Sequence, residues 1–141
     1  MVRTVIIADV KTLERLSVAG ALSVVSCLVA DIKVLDWLPL SPSQKSICER
    51  HHIGSVSLTD SEVKEAFRLY QRTGAHKVGL AQYGALVFAK YNGAFFASCD
   101  ELTLNMGRDV GLLTPESADT LLNLFPTLAI YGVYNPISSA I

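Results

Sequence analysis

The chain has 141 residues, of which 50% are hydrophobic and 18% are charged, and its 12 basic and 13 acidic residues give a net charge of -1. This length suits one domain with a sizeable core, and the low charged fraction argues against a disordered chain. The near-neutral charge also argues against a protein that coats nucleic acid through electrostatics alone.

The cysteines and the hydropathy of the chain indicate in which cellular compartment the protein is expected. Cys27, Cys48 and Cys99 show neither a disulfide framework nor the spacing of zinc ligands, so we expect reduced thiols and a cytoplasmic location. The uncharged stretch 16–30 is too short for a membrane span, and the stretch 120–141 is interrupted by Asn and Pro. We therefore expect no membrane anchor.

Apolar runs and helical periods alternate along the chain. The first run, 2–8, is rich in β-branched residues, as in a strand buried on both faces of a parallel sheet, and it ends at Asp9. Thr59 and Glu62 form a capping box that opens an amphipathic helix. The apolar face of this helix comprises Val63, Ala66, Phe67 and Tyr70. Strands are expected over about 2–8, 32–35, 55–58, 94–98 and 111–113, and helices over about 13–18, 21–29, 44–52 (capped by Ser43), 60–73, 78–90, 102–109 and 115–124.

This order of elements predicts an α/β fold. Short strands that alternate with helices indicate a three-layer α/β/α domain with a mainly parallel central sheet, which we place at residues 1–125. Residues 126–141 are expected to form an apolar C-terminal tail. Because this tail is uncharged and carries more large apolar side chains than solvated tails normally do, we expect it to pack on the domain or across a homodimer.

Two aspartates lie at the carboxyl ends of predicted strands: Asp9 directly follows the first strand, and Asp100 lies two residues after the strand 94–98. Ligand crevices of open α/β sheets lie beyond the carboxyl ends of the strands, so both carboxylates are expected in one crevice. Convergent carboxylates can hold a divalent cation, although metal-assisted phosphodiester hydrolysis normally uses three or four acids. The alternative is that each aspartate caps the helix that follows it.

Two segments carry a family resemblance. Residues 5–13, VIIADVKTL, resemble the opening strand and metal-binding aspartate of PIN domains. The segment 79–89, followed by GAFFASCD at 93–100, looks like the buried helix, glycine turn and acid-tipped strand of the same family. The resemblance, carried by the order and spacing of these segments, covers about residues 2–124. The resemblance implies a Mg²⁺- or Mn²⁺-dependent ribonuclease fold, common in toxin–antitoxin modules and in RNA processing.

The resemblance assigns family positions to individual residues. Asp9 and Asp100 match two of the metal-binding acids, whereas Gln82 stands where the family has an acid on the buried helix. Lys11 stands where a small hydroxyl or amide side chain usually assists the first acid, and Glu49 is the nearest candidate for the remaining acid. A neutral amide and an ammonium both reduce the negative charge that a metal needs, and a lysine can occupy the place of the cation. The alternative for Lys11 is a solvent-exposed position in the first turn of a helix.

A basic stripe is expected on the helix after the capping box. Lys64, Arg68 and Arg72 are four residues apart, so their side chains lie on one side of that helix. The stripe can bind the phosphates of a nucleic acid, or it can be an ordinary solvated face. No aromatic residue is expected to interleave with it for base stacking.

These observations lead to two main hypotheses. The first is a PIN-like protein with a decayed nuclease site, acting as a nucleic-acid-binding or protein-interaction module and holding Mg²⁺ or Mn²⁺ weakly or not at all. The second is an active metal-dependent ribonuclease of toxin–antitoxin type that uses Asp9 and Asp100 with Glu49 or Glu101. The candidate partners are RNA, an antitoxin-like protein and a second copy of the chain. A small-molecule-binding domain is a third hypothesis, which requires an apolar crevice.

Overall fold

The computed structural model describes residues 4–18, 20, 22, 31–73, 78–112 and 129–132. The strands are β1 (Thr4–Ile7), β2 (Asp31–Leu35), β3 (Gly54–Val56), β4 (Phe95–Ser98) and β5 (Ala129–Gly132). The helices with described bounds are α1 (Val10–Val18), α2 (Pro42–Arg50), α3 (Asp60–Thr73), α4 (Leu80–Asn92) and α5 (Glu101–Asp109).

The five strands form one sheet in the order β3-β2-β1-β4-β5. Strands β3, β2, β1 and β4 are parallel, and β5 runs antiparallel to β4 at the edge of the sheet. Along the chain the sheet grows from β1 outward to β3 and then continues on the other side of β1 with β4. The adjacent carboxyl ends of β1 and β4 therefore form the switch point at which such sheets bind ligands.

Both faces of the sheet are covered by helices. Val5 and Ile7 point to the layer of α1 and α2, where they pack with residues such as Leu16. Ile6 and Phe96 point to the opposite layer, which contains α3, α4 and α5. This confirms the predicted three-layer α/β/α architecture with a mainly parallel sheet. The strand cores are apolar on both faces because both faces are buried.

Two capping boxes begin helices. Thr59 and Glu62 cap α3 as predicted, because the Thr59 N–H donates to Glu62 Oε1 at 2.9 Å and the Glu62 N–H donates to Thr59 Oγ1 at 3.3 Å. The cap of α2 is Ser41, paired with Gln44, and not Ser43 as predicted. Pro at the first helical position suits this earlier start, since its missing N–H and fixed φ cost nothing there.

Close packing of α4 against the sheet depends on Gly84. A Cβ at this position would lie 2.6 Å from Leu35 Cδ2 and 3.0 Å from Trp37 Cε3. The helix ends at Gly93, which adopts a left-handed conformation with φ of 62° and turns the chain into β4, as predicted.

The structure differs from the predicted elements near the C-terminus. Residues 111–112 of the predicted strand 111–113 instead terminate α5, because Gly111 has φ of 77° and the Leu112 N–H donates to the Gly107 carbonyl at 3.0 Å. Within the predicted tail, Ala129–Gly132 forms β5 beside β4, a strand that the sequence does not predict. The helix predicted over 115–124 lies outside the described residues, as do the rest of the tail and all of the helix predicted over 21–29 except residue 22.

The predicted apolar face of α3 is also partly wrong. Ala66 is buried as expected, but Leu69, which the predicted face does not include, is 3% exposed, whereas Phe67 is 44% exposed. Phe67 lies at the border of the buried face, where it meets the Trp37 ring edge-on.

Candidate functional site

The structure brings Asp9 and Asp100 together at the switch point. Asp9 follows β1 and Asp100 follows β4, and these strands are adjacent and parallel. Ser98 joins the two residues, because its hydroxyl donates to Asp9 Oδ2 at 2.8 Å and accepts the Asp100 N–H at 3.1 Å. The site therefore consists of two acids with a buried serine between them.

Asp9 is 6% exposed and caps α1. Its Oδ1 accepts both the Thr12 N–H at 2.8 Å and the Thr12 hydroxyl at 2.7 Å, and its Oδ2 accepts the Ser98 hydroxyl. A carboxylate has about four lone-pair positions. Most of these positions are thus occupied by donors that belong to the fold.

Asp100 caps α5 through the same local pattern. Its Oδ2 accepts the Thr103 N–H at 3.1 Å and the Thr103 hydroxyl at 2.8 Å. Both caps have the sequence Asp-x-x-Thr, as DVKT at 9–12 and DELT at 100–103. The capping alternative raised from the sequence is therefore what the structure shows for both aspartates.

A second bond joins the two strand ends. The Thr12 hydroxyl accepts the Cys99 N–H at 2.9 Å, in addition to donating to Asp9. Thr12 and Ser98 are 2% and 0% exposed. In the described part of the chain, every buried side-chain nitrogen and oxygen atom has a hydrogen-bond partner. The cluster is internally satisfied, which is how buried polar networks become stabilising.

Lys11 points toward Asp100. Its ammonium lies 3.8 Å from Asp100 Oδ1, and its side chain is 51% exposed. The distance is too long for a direct hydrogen bond, and an ion pair this exposed contributes at most about 1 kcal/mol to stability. Its chemical effect is local, since it places a positive charge beside the carboxylate oxygen of Asp100 that does not cap the helix.

The other positions assigned by resemblance do not complete a metal site. Gln82 is half-buried in the first turn of α4, and its Oε1 would lie 2.8 Å from a Cβ at Gly79. Glu49 is exposed on α2 next to Cys48, where burial and the nearby Glu49 charge raise the pKa of the Cys48 thiol. Within the described ranges, no three His, Cys, Asp or Glu side chains are grouped so that they could hold a metal ion. The residues of the crevice thus do not fit a tightly bound divalent cation.

The basic stripe of α3 is exposed and partly neutralised. Arg68 donates to both oxygens of Glu65, at 2.9 Å and 2.6 Å, and Lys90 lies 3.5 Å from the same carboxylate. The hydrogen bond from Arg68 is the main reason that the pKa of Glu65 is lowered. Lys64 and Arg72 are exposed and form no salt bridge with any other described residue.

A separate groove of about 490 Å³ lies beside the ends of β2 and β3. Its walls include Val34, Leu38 and Leu40, with Lys45 and Asp36 as charged groups. Neither Asp9 nor Asp100 contributes to it. The side chains around the two acids are polar, whereas the small-molecule hypothesis requires an apolar crevice at this place.

Among the described residues, no helix combines the length and hydropathy needed to cross a bilayer. The chain matches no family model, no curated protein and no solved structure.

Proposed function

We propose that this chain is a PIN-like protein with a decayed nuclease site, whose two aspartates now cap helices, and that it acts as a binding module for nucleic acid. The observation that carries the proposal is the state of the two aspartates. Each caps a helix through one oxygen, while the remaining oxygen faces Ser98 in Asp9 and Lys11 in Asp100.

These partners oppose metal binding for a chemical reason. A divalent cation between the acids would coordinate the two oxygens that do not cap helices. It would have to share Asp9 Oδ2 with the Ser98 hydroxyl and displace the Lys11 ammonium from Asp100. Two monodentate carboxylates are also fewer ligands than a stable Mg²⁺ or Mn²⁺ site in a nuclease uses.

The basic residues of α3 support binding to nucleic acid. Lys64 and Arg72 form no salt bridge with an acid among the described residues, and exposed cations of this kind pair with phosphates. The near-neutral net charge makes this a local patch, so we expect modest affinity that falls with salt. The alternative is that the module binds a protein, either an antitoxin-like partner or a second copy of the chain.

Calorimetric titration with MnCl₂ and an RNA-cleavage assay test the decayed site. We expect no saturable Mn²⁺ binding and no metal-dependent cleavage by the wild-type protein. Asp9→Asn and Asp100→Asn are the matched variants, because an amide oxygen can still cap each helix, and circular dichroism verifies their folding. Robust wild-type cleavage that either variant abolishes would instead establish the ribonuclease hypothesis.

RNA binding is tested by the salt dependence of affinity. Replacing Lys64, Arg68 and Arg72 by Ala should weaken binding, and removing each side chain that pairs with a phosphate should reduce the slope of log K against log salt by about 0.7 for single strands. Arg68→Ala alone should do least, because this guanidinium is already held by Glu65. Equal and salt-independent affinity of the triple variant would refute the phosphate-binding role.

A further inference from the structure

Two aromatic rings meet at the surface beside the basic stripe, where the sequence predicts no aromatic interleaving. Phe67 is 44% exposed, and its ring packs edge-on against the half-buried Trp37 ring, with 6.2 Å between centroids and 62° between planes. Trp37 lies in the turn after β2, at the end of the sheet where open α/β folds bind ligands. One exposed aromatic residue is ordinary, but this pair is fixed in position and adjoins cations.

The indole ring of Trp37 packs against the backbone of α4 at Gly84. A Cβ at Gly84 would lie 3.0 Å and 3.1 Å from two carbons of the indole ring, so the bare helix backbone supports that ring directly. Phe67 adds the edge-on contact. A ring that is already fixed loses little conformational freedom when a second planar group stacks on it.

Charges of both signs lie near the pair. The exposed Asp36 precedes Trp37 and accepts the Ser57 hydroxyl, and the exposed Asp60 lies one turn before Lys64, so the cations must supply the phosphate contact. Lys64 precedes Phe67 by three residues, which places both on the same side of α3, and its ammonium forms no salt bridge in the described part of the chain. Arg72 is two turns after Lys64 on the same stripe and likewise forms no salt bridge there. Aromatic faces next to such cations are the combination that binds single-stranded nucleic acid, since bases stack on the rings while phosphates pair with the cations.

We infer that Trp37 and Phe67 form a stacking site for unpaired nucleobases, with Lys64 contacting the adjoining phosphate. The inference rests on the proposed nucleic-acid binding and specifies its ligand as a single strand recognised with little sequence preference. A duplex should not bind at this site, because its bases are already stacked inside the helix. The contacts given for this pair and those given for Asp9 and Asp100 share no residue.

The experiment uses the intrinsic fluorescence of Trp37, which is the single tryptophan of the chain. A short oligo-uridine RNA should quench this fluorescence on titration, whereas a duplex RNA of similar length should not. Phe67→Leu retains an apolar side chain but removes the aromatic face, and it should weaken binding about tenfold, which corresponds to about 1.4 kcal/mol. Leu102→Ala is the matched control, because Leu102 is 47% exposed on α5 and carries no ring.

The outcomes separate this inference from the proposed function. RNA binding that leaves Trp37 fluorescence unchanged, or that Phe67→Leu does not weaken, would overturn the stacking site while leaving nucleic-acid binding in place. Failure to bind any RNA at low salt would overturn both. A protein partner that quenches Trp37 and binds Phe67→Leu as tightly as wild type, with no RNA binding, would identify a protein interface instead. Thermal melts followed by circular dichroism confirm that each variant is folded.

Discussion

Replacing Asp9 by Ala should destabilise the protein strongly, and the sign of this effect distinguishes a structural aspartate from a catalytic one. A metal-binding carboxylate among other acids is held at a cost to the fold, so its removal is often neutral or stabilising. Asp9 instead accepts three hydrogen bonds while 6% exposed. Its removal leaves the Thr12 N–H and the Ser98 hydroxyl without an acceptor, while the Thr12 hydroxyl keeps only the Cys99 sulfur, at 3.5 Å.

The magnitude follows from the individual bonds. Losing the helix cap costs about 0.5–2 kcal/mol, and leaving the fully buried Ser98 hydroxyl without an acceptor costs about 1–3 kcal/mol. These terms are not fully additive, so we expect a loss of about 2–4 kcal/mol in the free energy of unfolding. Asp100→Ala should cost about 1 kcal/mol less, because Asp100 does not accept a bond equivalent to that from Ser98 to Asp9.

Urea unfolding followed by Trp37 fluorescence and by circular dichroism measures both variants, and the Asp9→Ala melting temperature should fall by roughly 10 °C. Asp9→Asn provides the control, since the amide can still cap α1 but can no longer accept the Ser98 proton in the same way. It should lie between wild type and Asp9→Ala. An Asp9→Ala protein as stable as wild type, or more stable, would refute the structural assignment.

Three further predictions concern Gly84, Glu65 and the cysteines. Gly84→Ala should lower the free energy of unfolding by about 1–3 kcal/mol, because the added Cβ would overlap Leu35 and Trp37, and increased stability in urea unfolding would contradict the packing. The pKa of Glu65 is lowered in the folded protein, so its ion pairs stabilise the fold fully above the ordinary carboxyl pKa of 4.5. This stabilisation is lost as the pH falls through the lower pKa of the folded state. The difference in unfolding free energy between wild type and Glu65→Gln should therefore disappear in acid. Iodoacetamide should modify the half-buried Cys99 before the buried Cys48, whose raised pKa disfavours the reactive thiolate, and mass spectrometry of digests would reveal the opposite order if this is wrong.

Local signals in the sequence predict the elements that depend on neighbouring residues. The Thr59–Glu62 box and the Gly93 turn each involve residues within one turn of a helix, and both form as expected. The Asp-x-x-Thr caps are equally local, so the pattern at 9–12 and 100–103 contained the signal for the structural role of both acids. The capping interpretation therefore needed no tertiary information.

Features that depend on distant parts of the chain were missed. The bond between Ser98 and Asp9 spans 89 residues. The Trp37–Phe67 contact joins the turn after β2 to α3, and both α2 and β3 lie between them in the sequence. Strand β5 lies in an uncharged and mainly apolar segment, and it pairs with β4, which lies in a distant part of the chain. Periodicity likewise could not show that Phe67 lies at the border of the buried face of α3.

The direction of Lys11 changes what is required to create a metal site. The sequence suggests that Lys11→Ser together with Gln82→Glu would increase Mn²⁺ affinity by removing an ammonium and adding an acid. In the structure, the Ser98 hydroxyl would still compete for Asp9 Oδ2, and Asp9 Oδ1 remains fully used by Thr12. We therefore expect only weak Mn²⁺ binding by this double variant.

Adding Ser98→Ala to the double variant should increase its Mn²⁺ affinity, because Asp9 Oδ2 then loses its internal donor. Ser98→Ala alone is the control and should not create a site, since Lys11 still places its charge beside Asp100. Calorimetric titration of the three proteins with MnCl₂ measures the effect, with thermal melts to exclude unfolding. If the double variant binds Mn²⁺ as tightly as the triple variant, Ser98 is not an obstacle, and charge alone separates this crevice from a metal site.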